Sequence, residues 1–254
     1  MNVDHRLPHV RRTWATRPRA SDRWHQQDPL GAGKPMTPNQ AEQFLDRFLS
    51  RIVSSLGFSR ITDGRYGRPE HDATAILSFP FRFSGHGVGV FTIWVALRFE
   101  SVARWLDDGS GSVADPTTLK PVHFLHEVKN LVEWKFSNAE DLESSREAVL
   151  DELSNYALPF VERYSKLAEL RKALESPNKQ DWIDAGLNVD TRVTTLAAIQ
   201  MVEGDKAGAI KTLDGGIKSL GESLTDKPEA LRRIEFRKRS RGMENLRKRL
   251  LANG

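Results

Sequence analysis

Cysteine is absent from the 254-residue chain. Disulfides, thiolate nucleophiles, iron–sulfur clusters and cysteine-ligated zinc are thereby excluded, and a reducing compartment is favoured. Long apolar runs are missing too: none approaches the roughly 18 residues that span a bilayer. Arg11-Arg12 has no apolar stretch behind it, so neither a secretory signal nor twin-arginine export fits. The expected location is the cytoplasm, with no membrane partner. Catalytic signatures are equally scarce. There is no G-x-S-x-G elbow and no serine–histidine–acid set stands out. Gly31-Ala32-Gly33-Lys34-Pro35 imitates the end of a phosphate loop, but Asp28 stands where its first glycine belongs and Pro35 where the magnesium-binding hydroxyl belongs. Gly85, Gly87 and Gly89 precede a strand, where a nucleotide loop needs a helix, and read as a hairpin turn. A non-enzyme with no cofactor is the expectation.

What is present is unevenly charged. Residues 1–36 hold seven Arg/Lys against three Asp, and residues 226–254 hold ten against four Asp/Glu. With a formal charge of only +4 overall, an acidic body lies between two basic ends, which speaks to partners and not to fold.

Residues 1–36, with Pro8, Pro18, Pro29 and Pro35 among their arginines, keep no helical or strand period and read as a disordered basic leader. Order begins at the capping box Thr37-Pro38-Asn39-Gln40. Ala41, Phe44, Leu45, Phe48, Leu49, Ile52, Val53 and Leu56 then recur at helical spacing, and Gly57 ends the helix. Met36 reads as the start of the folded unit. The period then falls to 2: Ala75, Leu77, Phe79, Phe81 and Phe83 form one face of a strand that Pro80 consigns to an edge or a bulge. Val90–Phe99 is apolar on both faces and therefore central. A third strand fits Val132–Phe136. A second capping box, Ser137–Glu140, opens a helix that Pro159 breaks, with another from Phe160 to Leu174. Two short helices, about 190–203 and 205–220, form a tetratricopeptide-like hairpin that must bury its apolar face elsewhere. From Pro228 a basic helix runs to the end, interrupted near Gly242. The fold class is α+β, a small mostly antiparallel sheet packed with helices. The domains read as a leader (1–36), the α+β domain (37–177), the hairpin (178–222) and the basic helix (223–254).

Leu56-Gly57-Phe58, the strand Val90-Phe91-Thr92-Ile93-Trp94-Val95, and Tyr156-Ala157-Leu158-Pro159-Phe160 followed by Leu167-Ala168-Glu169-Leu170 together resemble the bacterial domain of unknown function 4304. The resemblance covers about residues 37–175 and implies an α+β fold. It implies no agreed activity and no functional residues.

Two groups of residues carry the remaining chemistry. On a helix, His123, His126 and Glu127 would share a face able to hold a divalent ion and support a metal-dependent hydrolase, but half-buried histidines are the simpler reading. Glu127-Val128-Lys129, with Asp107, Asp108 or Asp115, loosely imitates a metal-dependent nuclease. The second group is the tail. Arg232, Arg233, Arg237, Lys238, Arg239, Arg241, Arg247, Lys248 and Arg249 can neutralise phosphates, with Trp14 and Trp24 as loose stacking platforms. Set against this is a solvated helix whose stripe Leu231, Ile234, Leu246 and Leu250 docks on protein. The chain therefore reads first as a non-catalytic protein-interaction module, and second as a nucleic-acid accessory factor acting through residues 226–254.

Overall fold

The computed structural model describes residues 36–84, 86–106, 116–127 and 130–252, so the leader, Trp14 and Trp24 lie outside the described residues. Helix α1 (Pro38–Ser55) starts as its sequence requires. The Thr37 hydroxyl accepts from the Gln40 amide, and the Gln40 side chain accepts from the Thr37 amide. Its apolar stripe, with Ala41, Leu45, Phe48, Leu49, Ile52 and Val53 all buried, lies in the main core. Gly57 turns the chain at φ +79°, a conformation that a side chain would strain.

Eight strands follow among the described residues. They are β1 (Ser59–Thr62), β2 (Arg65–Glu70), β3 (Ala73–Ser78), β4 (Phe81–Phe83), β5 (Gly89–Phe91), β6 (Trp94–Arg98), β7 (Thr118–Pro121) and β8 (Trp134–Phe136), with the short helix α2 (Glu100–Leu106) between β6 and β7. They make two antiparallel sheets, β1-β2-β3-β6-β7 and β4-β5-β8. The expected strand Val90–Phe99 divides at Thr92-Ile93 into β5 and β6, which belong to different sheets; β6 lies between β3 and β7, with Val95, Ala96 and Leu97 buried together. Pro80 does more than mark an edge. It sits where one long hairpin leaves the first sheet for the second, and its carbonyl accepts from the Thr92 amide across the bend. Lacking an amide hydrogen, Pro80 breaks the ladder there without leaving a donor unsatisfied. In the smaller sheet, the Phe136 ring lies over Gly89, where an added Cβ would come within 2.4 Å of it.

The remaining helices are α3 (Ala139–Ser144), α4 (Arg146–Glu152), α5 (Leu158–Tyr164), α6 (Leu167–Glu175), α7 (Lys179–Asp184), α8 (Val189–Val202), α9 (Lys206–Ser223) and α10 (Glu229–Ala252). The architecture is α+β, with a helical hairpin and a basic helix after the sheets. Asn138, one residue later than expected, caps α3 by accepting from the Asp141 amide at 2.8 Å. Two corrections concern helix breakers. Pro159 does not end a helix, because a π-turn at Leu153–Ala157 delivers it to the first turn of α5, where a missing amide hydrogen is harmless. The break falls instead at Ser165-Lys166. Gly242 does not interrupt α10 either. It lies inside one continuous 24-residue helix.

The described residues form one compact unit with two cores. Trp182, Ala185 and Leu187, in and after α7, belong to the first, so residue 178 marks no gap in the packing. α8 joins the two cores: Leu196, Ala198 and Ile199 face the first, Val193 and Ala197 the second. α2 and α6 cover one side of the hairpin, and α10 packs on both α8 and α9. A helix apolar on opposite sides must be covered on both. Here the chain supplies both covers itself.

Candidate functional site

The tail residues divide by what α10 docks against. Leu246 and Leu250 are 2% and 1% exposed and lie with Met243, Leu213 and Val193 in the second core. The expected docking of this stripe on a partner is therefore corrected: in these two residues it is spent on the chain's own hairpin. Leu231 and Ile234, at 56% and 65%, remain in solvent. Three arginines reinforce the internal dock. Arg239 makes a two-pronged pair with Asp190 of α8, both bonds at 2.8 Å. Arg247 pairs with Asp214 of α9 at 2.5 Å, and Arg249 donates to the Trp105 carbonyl of α2. Asp190 lifts the already high Arg239 pKa further, chiefly through that hydrogen bond. Arg233 pairs with Glu229 along the helix, and Lys227 pairs with Glu235.

Arg237, Lys238, Arg241 and Lys248 remain exposed and form no ion pair among the described residues, and Arg232 is half-buried with none. At 3.6 residues per turn, Arg237, Arg241 and Lys248 fall on one face of α10, opposite Met243, Leu246 and Leu250, with Lys238 on its flank. Sequence alone counts ten cations in the tail. The structure separates those that fasten the helix from those that face outward.

The histidine group has a different geometry from the one expected. Val122–Leu125 is a single 3₁₀ turn and His126 is extended, so His123, His126 and Glu127 share no helical face. Among the described residues no group of three or more His or acidic side chains is placed to hold a metal ion. His123 is buried, with its ring 4.5 Å from that of Phe124. Burial, with the nearby charge of His126 as a smaller cause, pushes its pKa below the usual imidazole range. The residues Asp107, Asp108, Asp115, Val128 and Lys129 of the nuclease imitation lie outside the described residues.

His126 instead takes a partner that the sequence reading missed. Its Nε2 lies 2.7 Å from Oε1 of Glu152, a carboxylate only 8% exposed, and its ring stacks on Tyr156 at 3.8 Å and 15°. Glu152 stands between Val149 and Leu153 on the buried side of α4. An acid on an apolar face was the available signal, since buried carboxylates persist where they are paired. The π-turn presents Asn155 and Tyr156 to a cleft of about 390 Å³, which Phe160, Arg163, Tyr164 and Asp184 also line. The Tyr164 hydroxyl is buried in this wall without a hydrogen-bond partner among the described residues. Burial raises its pKa first, opposed by Arg163 and assisted by Asp184 and Asp181.

No family model matches the chain, and no curated protein or solved structure gives a significant match. No helix among the described residues is long and apolar enough to cross a membrane.

Proposed function

We propose that the protein is a non-catalytic binding module whose α10 holds the phosphate backbone of a nucleic acid. The observation that carries this reading is the outward face of α10. Arg237, Lys238, Arg241 and Lys248 stand exposed and, among the described residues, without ion pairs on a helix whose opposite face is fixed by Leu246, Leu250, Arg239 and Arg247. A rigid row of cations meets phosphates at little further cost in backbone order, and arginine suits phosphate because its planar fork donates two bonds at once. The absence of cysteine agrees with a cytoplasmic site of action. Membership of the domain-of-unknown-function 4304 family over about residues 37–175 is part of the same proposal.

A second reading, a protein partner, draws on Leu231 and Ile234, which leave an apolar strip in solvent on the first half of α10. One pair of variants separates the two. Reversing Arg237, Lys238, Arg241 and Lys248 to Glu abolishes capture of labelled duplex or single-stranded nucleic acid on the first reading. Leu231→Ser with Ile234→Ser leaves that capture intact. The opposite order, with capture surviving charge reversal, defeats the phosphate reading.

A further inference from the structure

The cleft beside the π-turn plays no part in the α10 reading, yet its wall is built at the expense of helix regularity. π-turns cost hydrogen-bond geometry and recur where a side chain must be re-aimed at a site. Here the turn aims Tyr156 at His126, and Glu152, behind the imidazole, fixes that ring by a 2.7 Å bond. With Nε2 committed to the carboxylate, the imidazole is held flat against the phenol ring.

Phe124, Tyr156, Phe160 and Tyr164 give the cleft four aromatic rings, and Glu127 and Asp184 line it with carboxylates. Asp184 already accepts from Lys120 Nζ at 3.3 Å and from Gln180 at 2.6 Å. Glu127 is exposed and makes no ion pair among the described residues. Among the described residues, Arg163 is the one Arg or Lys that lines the cleft, and it holds its guanidinium over the face of Tyr164, 4.9 Å from the ring centroid. An aromatic wall thus already seats a positive charge. Aromatic faces attract cations through the ring quadrupole, most strongly where water is partly excluded.

From this juxtaposition we infer that the cleft binds a small organic cation, an ammonium or guanidinium group on a short stem, against its aromatic wall and Glu127. The volume of about 390 Å³ suits a small molecule. Arg163 acts as a tethered competitor for the same face.

Calorimetric titration of the full chain with choline, methylguanidinium, the neutral isostere 3,3-dimethylbutanol and propionate tests this. The cations bind about 5-fold or more tighter than the isostere, the discrimination expected of a partly desolvated cation–π contact. Glu127→Gln weakens the cations and leaves the isostere unchanged. Arg163→Ala tightens them by removing the competitor, whereas a site for anions loses its ligand with that substitution. Both substitutions are at exposed positions, and an unchanged melting temperature shows that they fold. Equal binding of the isostere, preference for propionate, weakening by Arg163→Ala, or no cation binding at millimolar concentration each overturns the inference.

Discussion

Truncating Leu246 asks whether α10 belongs to the chain's own core or waits for a partner. The side chain is 2% exposed and packs in the cluster formed by Val193, Ala197, Leu213, Met243 and Leu250. Leu246→Ala removes three buried carbons and leaves a void lined by α8 and α9, of which α8 is also held by the first core. The site can therefore collapse only partly, and the expected loss is about 2–5 kcal/mol. Against a typical domain stability of roughly 5–15 kcal/mol, this is a large fraction. Ile234 supplies the control on the same helix: at 65% exposure, Ile234→Ala should stay within about 0.5 kcal/mol of wild type. Urea unfolding of purified protein, followed by tryptophan fluorescence, measures both. Trp105 packs against the second core and reports on it. A loss below about 0.5 kcal/mol for Leu246→Ala, or equal losses at both positions, would refute internal docking.

Three further outcomes follow from the same structure. Ile93→Ala, in the main core at the junction of the two sheets, should cost about 2–5 kcal/mol in the same urea titration. Gly242→Ala should stabilise by about 0.5–1 kcal/mol, because the added methyl meets only Thr194 at 3.7 Å and α10 gains a better helix former. His123, whose folded pKa lies below its ordinary value of 6.5, stays neutral in the fold while the unfolded chain takes up a proton. Its contribution is full above about pH 6.5 and is lost as pH falls through the folded pKa. His123→Leu should therefore flatten the decline in melting temperature below pH 6.5, and an identical profile in the variant would contradict this.

The sequence made local rules legible and left long-range ones hidden. Thr37 and Gln40 declare a helix start within four residues, and alternation from Ala75 to Phe83 declares a strand face. β1 and β2 escaped because β1 is exposed along its whole length and Arg65–Glu70 shows no alternation. Pro80 announced irregularity, but only pairing with distant Thr92 makes that irregularity a change of sheet. Pro159 misled because a π-turn, which has no sequence signature, accommodates it. At the site, the tail cations were visible as composition. Which of them are spent depends on Asp190, Asp214 and the Trp105 carbonyl, 33 to 144 residues away in sequence. His126 was noticed for metal chemistry, while its partner Glu152 lies 26 residues on.

The proposed hold of the four outward cations of α10 on phosphate is open to direct measurement. Fluorescence anisotropy with a labelled duplex, repeated from low to physiological salt, tests it most directly. Four phosphate contacts predict that log K falls against log salt concentration with a slope of roughly −3 to −4. The Arg237, Lys238, Arg241 and Lys248 reversal should remove binding while leaving the melting temperature in place. A slope near zero, or wild-type affinity in the reversed variant, would contradict the account.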